Sequence, residues 1–143
     1  MAGRPVRRRS RDGTSTVTAL RAGQAAAERQ MVDTFTAYSP DGNTPVGGYE
    51  TPAFTEEYST RGKIQGSADT ATQWKTVGGT ERPLVMGGLH IPVSADPPGV
   101  DWEFECTAVA APSDQSLLGR RWRVVNAPAK TNATARRLDV VEV

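Results

Sequence analysis

The sequence predicts a mainly β protein: a small antiparallel β-barrel or sandwich of five to seven strands, with one N-terminal α-helix and long polar loops. Its 143 residues are enough for a single domain with one modest core. Its 14 glycines and 10 prolines, with a hydrophobic content of only 37%, favour turns and loops over long helices. Several short runs also alternate apolar with polar residues, which is typical of half-buried strands.

A helix is predicted over residues 17–29, where the chain is rich in Ala, Gln, Glu and Arg. One stripe of this helix, with residues three and four positions apart, is formed by Val17, Leu20, Gln24 and Ala27. Gly23 weakens the helix by about 1 kcal/mol relative to Ala. We therefore expect the helix to depend on packing against an open end or face of the β domain.

The strands are predicted from β-branched and aromatic runs bounded by turn residues. They cover residues 31–38, 57–65, 84–86, 89–93, 101–107, 121–125 and 137–143. The runs 84–86 and 89–93 are two short strands or one strand broken at the glycine pair 87–88. The clearest alternation, over 101–107, predicts an inward face of Trp102, Phe104 and Cys106. The outward face then carries Glu103 and Glu105.

Two stretches do not follow the strand pattern and are predicted to be loops. Residues 39–53, which begin with a Ser-Pro-Asp-Gly-Asn turn cluster, and residues 66–80 are long, polar and glycine-bearing. Trp74 lies in the second stretch and has no obvious strand face. It either folds back on the core or offers an anchor to a partner, because tryptophan is enriched at interface hot spots.

The charge is distributed unevenly along the chain. Residues 1–30 contain seven basic and two acidic side chains, whereas the other 113 residues contain ten basic and fourteen acidic ones. We expect a flexible basic arm over 1–14 and a single domain over 15–143. The arm is either a solvated tail or a contact with nucleic acid or an acidic partner surface. Its candidate contact residues are Arg4, Arg7, Arg8, Arg9 and Arg11.

The motifs of catalysis are absent from the sequence. His90 is the only histidine and lies at an outward strand position, and Cys106 lies at an inward one. Glu103 and Glu105 could imitate an acid pair, but a solvated surface or a contact with a basic neighbour suits an exposed strand better. The glycine pairs fit neither dinucleotide-binding nor phosphate-loop spacing. We expect no enzyme, no cofactor and no bound metal.

The sequence also gives no sign of a membrane or an export signal. It has no run near 18 apolar residues, and its Arg-rich start is not followed by an apolar segment. A single cysteine cannot form an internal disulfide, and one histidine beside it cannot build a structural zinc site. We therefore expect the protein to work in a reducing interior.

The C-terminal part carries a resemblance to a known family. Residues 114–125, DQSLLGRRWRVV, and 131–138, TNATARRL, resemble the end of the small head-to-tail stopper, or head-closure, proteins of siphophages with actinobacterial hosts. Earlier segments are similar in order: a helix, a strand like 58–65 ending in Gly66, the segment LHIPV at 89–93, and an acidic-aromatic strand like 101–106. The resemblance covers residues 17–143 and leaves out the basic arm.

The resemblance implies a structural virion protein with a small β-barrel and no catalytic residue. Such a protein assembles in the host cytoplasm into a homo-oligomeric ring, a hexamer or a dodecamer, in the virion neck. There it contacts the portal or head-tail adaptor on one side and the tail terminator or tail tube protein on the other. The ring closes the DNA-filled head, and packaged DNA passes through its lumen without sequence recognition. The candidate partner-interface residues are the five arginines of the arm, Trp74, Glu103 and Glu105.

Two other classes of function stay open. One is another neck component, a head-tail adaptor or a tail terminator, which would share the small size and the ring assembly. The other is a small nucleic-acid-binding β-barrel, which the arginine arm and the tryptophans favour. The mildly acidic domain and the absence of a basic aromatic strand face argue against that second class.

Overall fold

The computed structural model describes residues 13–66, 73–77, 80–84 and 86–143. Within this part the chain forms one α-helix followed by eight strands and one short 3-10 turn. The helix is α1 (Gly13–Arg29), and the 3-10 turn spans Gln115–Leu117. The strands are β1 (Asp33–Val46), β2 (Tyr49–Gly66), β3 (Gln73–Val77), β4 (Thr80–Leu84), β5 (Met86–Ile91), β6 (Glu103–Ala108), β7 (Arg121–Asn126) and β8 (Arg136–Glu142).

Six strands close into an antiparallel barrel in the order β1-β2-β5-β8-β7-β6, and β3 pairs with β4 in a separate two-stranded sheet. The β1–β6 ladder, from Thr34 opposite Ala108 to Tyr38 opposite Glu103, completes the ring of strands. The last residue is tied in as well, because the Val143 amide donates to the Arg121 carbonyl at 3.0 Å. The predicted mainly β fold with an N-terminal helix is confirmed.

The barrel interior is filled by alternate residues of its strands. The residues that form this core are Phe35, Ala37, Leu89, Ile91, Phe104, Cys106, Trp122, Val124, Leu138 and Val140. Phe35 and Trp122 meet edge to face, with ring centroids 5.9 Å apart. The inward positions predicted for Phe104 and Cys106 are confirmed, since both are fully buried. Trp102 is only partly buried and packs against the core near one end of the barrel.

Residues 39–53 do not form the predicted loop. β1 passes through the turn cluster and pairs with β2 as far as Val46 opposite Tyr49. Gly42 has φ +77° and lies in a β-bulge between Pro40 and Asn43, so the glycine bends the strand instead of ending it. The reversal comes at Gly47 and Gly48, both with positive φ, as two-residue hairpin turns require.

This hairpin continues beyond the barrel. β1 leaves β6 after Tyr38, and from Ser39 onward it pairs with β2 alone. We call residues 39–57 the β-arm; its last two residues lie at the rim of the barrel, because Glu56 is opposite Tyr38. Its eight residues from Ser39 to Val46 extend for about 25 Å at the usual rise per strand residue.

The second predicted loop, residues 66–80, also contains strand. β3 pairs with β4 from Gln73 opposite Leu84 to Val77 opposite Thr80, and residues 67–72 and 78–79 lie outside the described part. β5 then runs through the glycine pair 87–88 without a break. A Cβ on Gly87 would lie 3.2 Å from the Gln65 carbonyl oxygen, so this glycine lets β2 and β5 approach closely.

The helix begins at Gly13, four residues before its predicted start, and it packs only lightly. Leu20, Gln24 and Ala27 are half-buried, whereas Val17, at 43% exposure, does not belong to the packed stripe. Gln24 Nε2 donates to the Ala133 carbonyl at 3.2 Å, and a Cβ on Gly23 would lie 2.9 Å from Thr134 Cγ2. Small residues thus bring the helix close to the segment before β8.

We expect Phe104→Ala to lower the free energy of unfolding by about 3–5 kcal/mol, because the change removes a fully buried ring and leaves a cavity. Val125→Ala, on the exposed outer side of β7, is the control and should change stability by no more than about 0.5 kcal/mol. Chemical denaturation measures both. Equal midpoints for the two variants would show that the Phe104 ring is not part of the core.

We expect Gly62→Ala to destabilise the barrel by about 1–3 kcal/mol through overpacking. A Cβ at this position would lie 2.8 Å from Phe35 Cδ2 and 3.2 Å from the His90 carbonyl oxygen. Gly66→Ala makes the same chemical change on the same strand, where no atom lies within 4 Å of the added carbon. Thermal unfolding should separate the two variants, and a Gly62→Ala protein as stable as Gly66→Ala would contradict the packing.

Candidate interaction surface on the barrel wall

Glu103 begins β6 at the rim of the barrel from which the β-arm emerges. Its side chain is only 6% exposed and holds two arginines of β7. Arg123 donates from Nη2 to Oε2 at 3.1 Å, and Arg121 Nε lies 3.1 Å from Oε1. Both oxygens therefore face cations, which a buried carboxylate needs. Of the two expectations for Glu103, a solvated surface or a contact with a basic neighbour, the solvated surface is wrong, and the carboxylate instead contacts two arginines of the neighbouring strand.

Arg121 links this rim to the β-arm. Its guanidinium carbon lies 4.4 Å from the centre of the Tyr38 ring and 5.2 Å from the centre of the Phe54 ring. These distances are within the range of cation–π attraction. Tyr38 is on β1 and Phe54 is on β2, at the base of the arm. The guanidinium thus ties β7 to both strands of the arm.

The other predicted interface residues do not join this cluster. Glu105 is half-buried and lies opposite Arg121 in the β6–β7 register. Trp74 lies on β3 opposite Pro83, and its side chain is outside the described part. The five arginines at positions 4, 7, 8, 9 and 11 also lie outside the described residues. Their interface roles stay predictions.

The side chains with potential reactivity are separated by the barrel wall. Cys106 points inward, and burial, followed by the charge of Asp33, raises the pKa of its thiol. His90 is on the outer face, so the two cannot form a Cys–His pair. Tyr58 donates to the Asp96 carbonyl at 2.6 Å, and burial raises its pKa to about 12. These groups stabilise the structure in their neutral forms.

Three basic side chains cross the outer wall in one line. The register places Lys63 of β2 opposite His90 of β5, and His90 opposite Arg137 of β8. We call these three residues the basic row. Lys63 Nζ donates to Gln30 Oε1 at 2.9 Å, and no ion pair within the described residues involves the row. The sequence predicts only that His90 points outward. It does not predict the row, because the row depends on pairing between strands that are distant along the chain.

The basic row forms one side of a groove beneath the end of α1. The groove has a volume of about 380 Å³, and its helix side includes Ala26, Ala27 and Gln30. A second cavity of about 500 Å³ lies beyond Ala135 and is bordered by Lys130, Arg136 and Arg137. Neither is lined by a carboxylate side chain. This part of the wall therefore suits an anionic group.

The described residues contain no cluster of His, Cys, Asp or Glu side chains that could hold a metal ion. Among the helices in the same part of the chain, none combines the length and apolar character needed to cross a membrane.

We expect the single histidine to titrate below its usual pKa of 6.5, because burial and then the charges of Arg137 and Lys63 disfavour its protonated form. The unfolded chain binds this proton more readily, so stability should fall as the pH drops below 6.5 and level off below the folded pKa. An NMR titration of the ring measures the midpoint.

Arg137→Gln should raise that midpoint, whereas Arg21→Gln, on an exposed turn of α1, should leave it unchanged. A wild-type midpoint at or above 6.5 would contradict the placement of His90 in the row.

Comparison with known proteins adds a family but no activity. No curated protein matches the chain. Residues 23–141 match a family described as a family of unknown function, DUF6093. The match begins inside α1 and ends within β8, so it spans the whole barrel, the β-arm and both grooves. The chain therefore belongs to this family of unknown function, DUF6093.

Proposed function

We propose that this protein is a structural component of a phage neck, which forms a ring beneath the portal or adaptor, closes the DNA-filled head and offers the attachment surface for the tail. The resemblance of residues 17–143 to head-to-tail stopper proteins is the starting point. The closed barrel supports it, because a ring subunit under load benefits from a rigid body without open sheet edges.

The observation that carries the proposal is the position of the two hairpins. The β-arm leaves the barrel at the rim formed by Tyr38 and Glu103. The β3–β4 hairpin is inserted between Gly66 and Met86, where β2 ends and β5 begins, at the opposite end of the barrel. A subunit that sits between a head partner and a tail partner needs projecting elements at both ends.

The chemistry of the described side chains favours a structural role over catalysis. The thiol of Cys106 is buried inside the barrel, while His90 lies outside it. Glu103 is buried and held by Arg121 and Arg123, so its two oxygens face arginines of the same chain. In this proposal the protein is not an enzyme, and its residues act by packing, by charge and by ordering against partners.

A second candidate is another neck component, a head-tail adaptor or a tail terminator. The same two-ended geometry suits these proteins, since each also joins a ring above to a ring below. A nucleic-acid-binding barrel is less favoured, because the β-arm is acidic over residues 39–57 and would repel phosphates. Position in the particle separates the neck components.

The test is electron microscopy of particles from cells infected with a phage in which this gene is silenced, with the wild-type gene supplied in trans as the control. We expect packaged heads that lose their DNA, beside separate and finished tails, because the closing ring is missing. Overlong tails would assign the protein to tail termination. Normal virions would overturn the proposal.

A further inference from the structure

The basic row is an unusual arrangement for a surface that faces only water. Lys63 and Arg137 lie on either side of His90 across consecutive strands, so their two positive charges share one line on the wall and repel each other weakly across the histidine. Within the described part of the chain, no carboxylate pairs with any of the three. Of the six basic side chains in residues 120–137, Arg120, Arg121 and Arg123 pair with Glu142 and Glu103, whereas Lys130, Arg136 and Arg137 border the second cavity without an ion pair among the described residues. An external anionic group would offset this repulsion.

The β-arm has the opposite composition. Residues 39–57 contain four acidic side chains and no basic one. Asp41 accepts from Thr55 at 2.9 Å and Glu57 accepts from Ser39 at 2.6 Å, so hydroxyl groups orient these two carboxylates without neutralising them. Glu56 is exposed, and the described residues give it no ion pair. The arm therefore carries a net negative charge, with Glu56 and Glu57 at its base on the rim of the barrel and Asp41 beyond the rim.

The stability of the arm depends on contact with another surface. A two-stranded ribbon is marginally stable in water by itself. Pro40 and Pro45 in β1 and Pro52 in β2 remove backbone donors along the ribbon, which disfavours the addition of another strand. A contact made through the charged side chains of the arm would hold the arm in place.

We propose that the β-arm of one copy lies on the basic row of a neighbouring copy, in a contact that joins one subunit to the next. The two patches are complementary in charge and are separate surfaces of the same chain, so the contact can repeat from copy to copy. The inference rests on the proposed function in one respect: it names the contact between subunits that a ring requires.

The test is sedimentation of the purified full-length protein at about 50 mM and about 500 mM salt, since screening weakens contacts between exposed charges. We expect association that weakens at the higher salt. Arg137→Glu and Glu56→Lys should each raise the dissociation constant about tenfold, because each replaces an attraction by a repulsion. The double variant should recover most of the lost affinity, since the reversed charges again attract.

Two controls separate this contact from a general charge effect and from misfolding. Arg21→Glu makes the same charge change on an exposed position of α1 and should leave association unchanged. Arg137→Glu should change the melting temperature little, because Arg137 is exposed and takes part in no ion pair among the described residues. If Arg137→Glu loses association because it unfolds, its melting temperature will be lowered. In that case the double variant will not recover association.

Several outcomes overturn the inference. One is a monomer at every concentration and salt tested, and another is single variants that associate like the wild type. A third is a double variant that stays as weak as the single ones. If Arg137→Glu abolishes binding to a short duplex DNA but leaves self-association intact, the row serves nucleic acid instead.

The outcomes also distinguish this inference from the proposed function. Charge-dependent association in solution together with normal virions after gene silencing would keep the contact and reject the neck role. Leaking heads together with unaffected charge variants would keep the neck role and reject the contact. A complex of only two copies would support the contact between arm and row but count against a ring.

Discussion

Closure of the barrel is the constraint on which the rest of the structure depends. The β1–β6 ladder joins the first strand to the fourth strand of the barrel in chain order, so every barrel strand has a paired neighbour on both sides over part of its length. The side chains that alternate inward form the core of the barrel, with Phe35, Leu89 and Phe104 fully buried. Charged side chains are thereby left to the outer wall and to the segments that extend past the strand ends.

The ion cluster at the rim connects the rigid barrel to the projecting arm. Glu103 is held between two arginines, and Arg121 also contacts the rings of Tyr38 and Phe54. A carboxylate buried at this site requires both cations, because desolvation without them would cost several kcal/mol. The same guanidinium that neutralises Glu103 therefore orients the base of the arm. Through Arg121, the base of the arm is connected to β6 and β7.

The sequence patterns predicted burial better than they predicted connectivity. The run 101–107 was correctly assigned because Phe104 and Cys106 alternate with polar residues, and alternation reflects a buried and an open face. Residues 39–53 are predicted to be a loop because Pro40, Asp41 and Gly42 are typical turn residues. There, a bulge accommodates them inside a strand. The basic row could not be predicted, since Lys63, His90 and Arg137 meet only through register between distant strands.

The near-neutral net charge of +1 conceals a separation of charge between two parts of the molecule. Asp41 of the β-arm lies beyond one rim and Glu56 and Glu57 lie at that rim, whereas the basic row lies on the wall formed by β2, β5 and β8. Within one chain the arm leads away from the barrel, so its carboxylates and the row do not neutralise each other in the described structure. An arm set against an identical arm would repel it, and a row set against an identical row would do the same. The contact proposed above, between the arm of one copy and the wall of another, brings opposite charges together instead.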